Sequence, residues 1–487
     1  MGLGCCWLGT FDKKTARLLA EVGIYWRYEM DSRLEQDIVI FQDSQQQYEF
    51  GITLPLRNQA GMSDSGQESI WDIQTTCNVV SGSVVTRDYN YREALKPQDS
   101  AESIFSKEGI STGETYHYAE PFLTAGDAES PETGAYFARL RHERILNAQY
   151  CVSGHSSSPY LTPGQVLETD GTLPDVVREG IVITTVRSRG SRKSCFTLTF
   201  EGIPYSETVC WRPALLSRPV ISGSLPARIE SCGKNDIYAH LDGQGRYRVK
   251  MDFDQEGTEP GFGYLWLRMA KPCAGETLGW HTPLIDGTEV AIAYSNGDID
   301  LPYIAYALHD AEHPDLVTSD NHTRNVWRTP ANNKLRMEDK RQEEHIKLAT
   351  EYGKTQLNMG HLVNSRREKR GAGFELRTDE HGAVRAAKGL FLTADAQARA
   401  LGPVLEMAAA ISQINQANSQ MQALNSAAEA AGALLCDINT QISFVADKIR
   451  ELQSAVLLGS APQGVALTSG EHLQLCSTRN TMINAGQ

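Results

Sequence analysis

Asp242-Gly243-Gln244-Gly245-Arg246-Tyr247-Arg248-Val249-Lys250-Met251-Asp252-Phe253-Asp254 reads as a glycine-rich turn running into an alternating strand. It belongs to a set of five short strands between residues 226 and 308. Gly, Asp and Asn turns separate them, and the set ends in Gly297-Asp298-Ile299-Asp300-Leu301-Pro302. Short strands broken at this spacing predict a small closed or nearly closed barrel. Met251 and Phe253 alternate with Asp252 and Asp254, so the two carboxylates are expected on the solvent face of the strand, without catalytic meaning.

The barrel is a small part of a long chain. At 487 residues there is room for three or more domains, because single cores rarely grow past ~250–300 residues. A hydrophobic content of 41% and mean hydropathy of −0.36 fit a soluble globular protein, and no window approaches the ~18 apolar residues of a membrane span. Met1-Gly2-Leu3-Gly4-Cys5-Cys6-Trp7-Leu8 has no basic segment before it and reaches Asp12-Lys13-Lys14 early, so no signal peptide is read. Cys6 stands where a myristoylation motif has Ser or Thr, which argues against lipidation. The ten cysteines are dispersed with no C-x-x-C, which predicts free thiols in a reducing compartment and no zinc site. A net charge of −14 disfavours a general nucleic-acid binder. The one basic cluster, Arg366-Arg367-Glu368-Lys369-Arg370, precedes Gly371 and reads as a solvated loop.

Upstream of the barrel, residues 12–215 read as mixed α/β. A helical pattern over 12–23 stops at Gly23, a strand follows over 24–29, and 37–41 reads as a buried strand. Residues 136–148 form a second helix with Arg139, Arg141 and Arg144 around it. Residues 212–226 are a Pro/Ser-rich connector. Downstream, 309–333 is a polar linker. Period-2 runs follow at 346–349, 355–359, 374–377 and 389–393, and again at 465–468 and 473–476. Each run offers one apolar edge, too little for a core within one chain, and so predicts an intertwined oligomeric stalk. Between them, residues 404–456 keep 3-4 apolar spacing over about seven heptads. Gly432 near the midpoint favours a helical hairpin over an in-line coiled coil, since a hairpin returns the chain to the stalk.

The hairpin at 242–254 resembles the barrel-opening hairpin of the VgrG family, the spike proteins of bacterial type VI secretion systems, related to contractile-phage hub and spike proteins. Trp266, Arg268, Ala274-Gly275, Trp280, Pro283, Gly287, Glu289 and Val290 continue the resemblance in order. Tyr306 departs from a usual Gly, and 283–287 is one residue longer than the usual turn. Residues 18–29, 82–91, 136–148, 152–155 and 161–164 are similar to the family's hub domain, and 333–340 to the start of its stalk. The chain enters the hub domain well inside it, so the first hub barrel is expected to be incomplete: a shortened member, or a sequence beginning downstream of the natural start. The stalk is expected to continue past Gln487.

The resemblance implies a mainly β, multidomain protein. A partial hub-like α/β domain occupies 1–215, an OB-fold barrel 226–308 and a linker 309–333. The β-stalk starts over 334–395, breaks for a helical insertion at 396–460, and continues over 461–487. It further implies a homotrimeric spike that caps a tube of Hcp hexamers, carries a PAAR-repeat tip protein and effector proteins, and punctures a target membrane mechanically. Such a spike is assembled in the cytoplasm and then translocated. The alternatives are a prophage contractile-tail spike and, more remotely, an OB-fold oligonucleotide binder. For the latter, Tyr238, Tyr247, Phe253, Tyr264 and Trp266 offer stacking, but Asp242, Asp252, Asp254, Glu256 and Glu259 would repel phosphate, and most of these aromatics are expected in the core.

No catalytic, cofactor or metal site is read from the residues. His309-Asp310-Ala311-Glu312-His313 has H-x-x-x-H spacing, but Pro314 follows and the setting is a linker. Gly154-His155-Ser156-Ser157-Ser158 lacks the second glycine of a nucleophile elbow, and Gly261-Phe262-Gly263 lacks the rest of a dinucleotide fingerprint. The phage spike relative carries a lysozyme domain between barrel and stalk; the 25 residues of 309–333 cannot hold one. The chain is expected not to be an enzyme.

Overall fold

The computed structural model describes residues 13–483 except 32, 34, 58–65, 92–93, 96–97, 103–110, 119–133, 234–236, 256, 258, 260–261, 263–264, 436 and 480. The chain divides into two units, residues 1–225 with 292–305 and residues 226–291 with 306–487.

In the first unit, α1 (Lys13–Glu21) stops where expected. Gly23 has φ +78°, and the Ile24 N–H returns to the Leu19 carbonyl at 2.9 Å, closing the helix end. Strands β1 (Tyr25–Asp31) and β2 (Gln36–Gln42) form an antiparallel pair. That pair corrects one expectation: β2 is not buried, and Phe41 is about half exposed, because only β1 flanks it. The chain continues through β3 (Glu49–Thr53), β4 (Ile70–Cys77), β5 (Ser83–Asp88), β6 (Gln98–Glu102), β7 (Glu114–Tyr118), α2 (Gly134–Asn147), β8 (Tyr150–Ser156), β9 (Gln165–Glu168), β10 (Ile181–Ser191) and β11 (Ser194–Pro204). The main sheet has the order β3-β9-β10-β11-β8-β4, and a smaller one β6-β5-β7. Ile70, Val152, Leu167, Ile181, Ile183 and Phe200 form the core of the main sheet. Gly154 on β8 lies against Phe200, whose ring a Cβ would meet at 2.7 Å; this is strand packing, not an elbow.

A buried ion pair ties this unit together. Glu143 on α2 accepts from Arg212 Nε at 2.5 Å, and Arg212 Nη1 also donates to the carbonyls of Gly23 (2.8 Å) and Asp43 (2.7 Å). Arg212 thus holds the ends of α1 and β2 against α2, although in the sequence it appears only as the start of a connector. Further along that connector, Arg218 reaches Glu21 (2.9 Å), Asp298 and Asp300 (2.8 Å). The two aspartates of the Gly297–Asp300 phrase are therefore spent on one guanidinium.

The barrel strands are β12 (Leu225–Ile229), β13 (Tyr247–Met251), β14 (Leu265–Leu267), β15 (Glu289–Tyr294) and β16 (Pro302–Leu308), in the order β14-β13-β12-β15-β16. Tyr247, Val249 and Met251 point inward while Arg248 and Lys250 point outward, the expected alternation. The strand then ends sooner than read: Asp252 to Asp254 form a turn, with the Asp254 N–H on the Met251 carbonyl (3.1 Å). Phe253 and Tyr238 are exposed and Trp266 is half-buried, so among the described residues only Tyr247 of the aromatics read as core is fully buried. Tyr264 and Glu256 lie outside the described residues.

Beyond the barrel the expectations need more correction. The linker contains a strand, β17 (Arg324–Arg328), which opens a five-stranded antiparallel meander with β18 (Lys334–Glu338), β19 (His345–Ala349), β20 (Gln356–Val363) and β21 (Lys369–Arg377). These runs do pair within one chain, because tight turns connect each to the next. Lys369 and Arg370 belong to β21 and not to a loop; the turn lies earlier, where the Asn364 N–H meets the Glu368 carbonyl at 2.9 Å. Strand β22 (Leu390–Thr393) pairs in parallel with β23 (Leu457–Ser460), which lies within the range read as helical. Residues 465–468 and 473–476 form no strands here, since among the described residues no strand edge pairs with them.

Between β22 and β23 the chain leaves and returns. Helix α3 (Ala408–Ala430) ends at a turn where Gly432 has φ +67°, and α4 (Ile438–Phe444) leads into a π-turn over Val445–Ile449. The seven heptads are thus not one continuous helix. The heptad positions Met407, Val445, Ile449 and Leu452 pack together with Ile411, Ile414, Phe391 and Leu458 at the base, while Leu424 and Leu435 farther out stay exposed.

Candidate functional site: the two faces of the stalk sheet

The meander β17–β21 has two chemically opposite faces, and the register assigns every residue to one of them. Leu335, Leu348, Leu357 and Leu376 stand opposite one another across four strands; Met337, Ile346, Met359 and Phe374 form the next row. Trp327 extends the first row, its ring 5.5 Å from that of Trp280. Because side chains alternate, Arg336, Lys347, Asn358 and Glu375 form a row on the other face.

The apolar face is uncovered. Leu348 is 55% exposed, Leu376 65% and Phe374 79%, and Trp327, Met337, Ile346 and Met359 are exposed too. A lone apolar side chain at the surface needs no explanation, but two contiguous rows of them mark a face built to be covered. The meander geometry demands glycine at one point: Gly360 has φ +95°, and a Cβ there would stand 2.4 Å from the Glu344 carbonyl oxygen.

The polar face is the more enclosed one. Arg324 Nε donates to Glu338 at 2.8 Å, Thr323 also bonds that carboxylate, and Arg370 pairs with Glu375. Burial would raise the Glu338 carboxyl, but the bonds from Thr323 and Arg324 outweigh it and hold it low. The Arg370 bond holds Glu375 low. Burial, reinforced by the neighbouring Arg324, pushes the Arg336 guanidinium down, and burial with Arg336 nearby lowers Lys347.

The H-x-x-x-H pair is not brought together as ligands. Asp310 caps the N–H groups of Glu312 and His313, contacts His313 Nδ1 at 3.1 Å and binds Arg228 at 2.7 Å, while His309 faces Asp315. The Arg228 bond holds the Asp310 carboxyl far below the usual range. Among the described residues no group of three His, Cys, Asp or Glu side chains could hold a metal, and no helix is long and apolar enough to cross a membrane. Cys210 is buried beside Tyr48 Oη, and burial pushes its thiol up, away from reactivity.

Three family models match the chain in succession. Residues 15–194 match the phage tail baseplate hub (GPD), 237–309 the type VI secretion system/phage-baseplate injector OB domain, and 324–428 the putative type VI secretion system Rhs element Vgr. The type VI secretion system spike protein VgrG2b of Pseudomonas aeruginosa is 28% identical over 87% of this chain and 45% of its own length; VgrG2a of the same organism is 27% identical over 87% and 54%. The chain therefore spans about half the length of the curated relatives it matches. The actin cross-linking toxin VgrG1 of Vibrio cholerae is 22% identical over 47% of this chain and 22% of its own. Among solved structures, an Escherichia coli type VI secretion component described as similar to the T4 tail proteins gp27 and gp5 is 34% identical over 61% of this chain and 59% of its own, with TM-score 0.40. A VgrG spike is 49% identical over 34% and 63%, with TM-score 0.33. Hub, OB-domain and Vgr-element matches follow one another along the chain, and two VgrG spike proteins are similar over most of its length, so the chain is similar, domain by domain, to the VgrG spike proteins of type VI secretion systems.

Proposed function

We propose that this chain is one protomer of a homotrimeric spike, in which the apolar rows of three β17–β21 sheets face a common axis. The observation that carries the reading is the uncovered apolar face, with Leu348, Phe374 and Leu376 all more than half exposed in a single chain. Three copies around one axis bury these rows and supply partners for β22, β23 and the unpaired runs at 465–468 and 473–476, leaving no edge to fray. In such a spike the hub-like unit docks on an Hcp tube, a PAAR-repeat protein closes the tip and effectors ride on the assembly. Contraction of a surrounding sheath then drives it through a target membrane, so the spike leaves the cytoplasm in which it was assembled. The chain's own contribution is mechanical, and no bond chemistry is assigned to it. The support for an effector partner is that one relative of known structure is a VgrG spike bound to the Tle1 effector.

The test is the mass of the purified chain by light scattering, followed by pull-down of Hcp. A trimer that retains Hcp is expected. A stable monomer at micromolar concentration refutes the assembly, and a trimer indifferent to Hcp refutes the tube-capping role alone.

A further inference from the structure

The charged face of the stalk sheet breaks a pairing rule twice. Arg336 stands directly opposite Lys347, and Arg328 directly opposite Lys334. Like charges placed directly opposite across strands are destabilising, and sequences break local rules mainly where function requires it. Three of the carboxylates nearby are already engaged, Glu338 with Arg324, Glu343 with Lys340 and Glu375 with Arg370, while Asp320 lines the same space without an ion pair among the described residues. Among the described residues none of Arg328, Lys334, Arg336 and Lys347 has a carboxylate ion-pair partner. Arg336 Nη2 donates to His345 Nε2 at 2.9 Å, but its Nε is buried and unpartnered.

Two of these cations, Arg336 and Lys347, do not lie on an open surface, whereas Arg328 and Lys334 are not part of the same space. Arg336, Lys347, Arg367 and Arg377, with Asn358 between them, line a cavity of about 800 Å³. That is the size of a small-molecule site. In a protein of net charge −14, such a local cationic concavity is a strong field of the opposite sign. Guanidinium forks and ammonium groups converging on one space suit phosphate oxygens.

We propose that this cavity binds a small multivalent oxyanion of the oligophosphate class, with Arg336 and Lys347 as its central ligands. The bound anion supplies the missing negative charge between the opposed cations and an acceptor for Arg336 Nε. Since the apolar rows occupy the other face of the same sheet, covering them leaves this face open. The lowered Arg336 and Lys347 fit a site awaiting a counter-charge.

Inorganic triphosphate is the probe, titrated calorimetrically into the full chain in about 0.15 M NaCl to screen diffuse attraction. Saturable binding is expected, weakened at least about tenfold in Arg336→Gln and in Lys347→Gln. It should be unchanged in Arg192→Gln, which removes an exposed cation from the β10–β11 turn. Triphosphate should raise the parent's melting temperature and leave that of Lys347→Gln unmoved, and unliganded Lys347→Gln should melt no lower than the parent. Absence of saturable binding, an equal loss in Arg192→Gln, citrate binding as tightly as triphosphate, or a lower-melting unliganded Lys347→Gln would each overturn the proposal. The mass measurement above is independent of every one of these readouts.

Discussion

Leu376→Asp tests the stalk at the most exposed leucine of the β17–β21 sheet. Leu376 stands opposite Leu357 in the register, and 65% of it is uncovered in the single chain. Full burial of a leucine contributes about 1.5–3 kcal/mol, so the part that assembly alone can bury is worth roughly 1–2 kcal/mol per copy. Three copies lose about 3–6 kcal/mol before the carboxylates are considered. Those carboxylates would meet near the axis without partners, which adds a desolvation and repulsion penalty or forces them to take up protons. At 1.4 kcal/mol per decade, the trimer constant should fall by at least about 10²–10⁴. The matched change Glu375→Asp lies one residue away on the other face and disturbs only polar contacts there, the ion pair with Arg370 and a bond from Asn358 Nδ2, so it should do little. Light scattering across a dilution series should show the parent and Glu375→Asp as trimers while Leu376→Asp dissociates. A monomeric parent, or equal behaviour of the two variants, refutes the reasoning.

Glu143→Gln leaves Arg212 buried without its counter-charge and should cost about 3–5 kcal/mol in urea denaturation of the hub-like unit; a loss below 1 kcal/mol would show that the pair does not hold that unit together. Gly360→Ala meets the Glu344 carbonyl at a positive φ and should lower the stability of the meander by more than about 1 kcal/mol, read as an earlier thermal transition. In the helical excursion, Ile449→Ala should cost about 2–5 kcal/mol, whereas Leu424→Ala, on an exposed residue, should stay within about 0.5 kcal/mol; the reverse order would mean that the base cluster is not where the two arms join. Peptidoglycan incubated with the purified chain should turn over no faster than the buffer blank, and turnover abolished by a point mutation would contradict a purely mechanical role.

Much of the architecture was legible in the residues because its signals are local. Gly23 stops α1 through its own backbone freedom, and Tyr247, Val249 and Met251 alternate with Arg248 and Lys250 because the strand period is two. The same alternation placed Leu348 and Leu376 opposite in face to Lys347 and Glu375 before any pairing was known. The 3-4 spacing and Gly432 together pointed to an out-and-back helical excursion, and the parallel β22–β23 pair is its consequence.

What tertiary structure alone decided lies in contacts distant in sequence. No pattern tells that Arg212 meets Glu143, 69 residues earlier, or that Asp298 and Asp300 converge on Arg218. Strand β17 hid in a polar segment because Arg324, Asn325 and Arg328 find their pairing partners only on β18. Residues 465–468 have strand composition but no strand here, since a strand exists only where another edge offers hydrogen bonds. The opposition of Arg336 and Lys347 is likewise a matter of register: eleven residues apart they are two ordinary cations, and only the pairing of β18 with β19 sets them face to face.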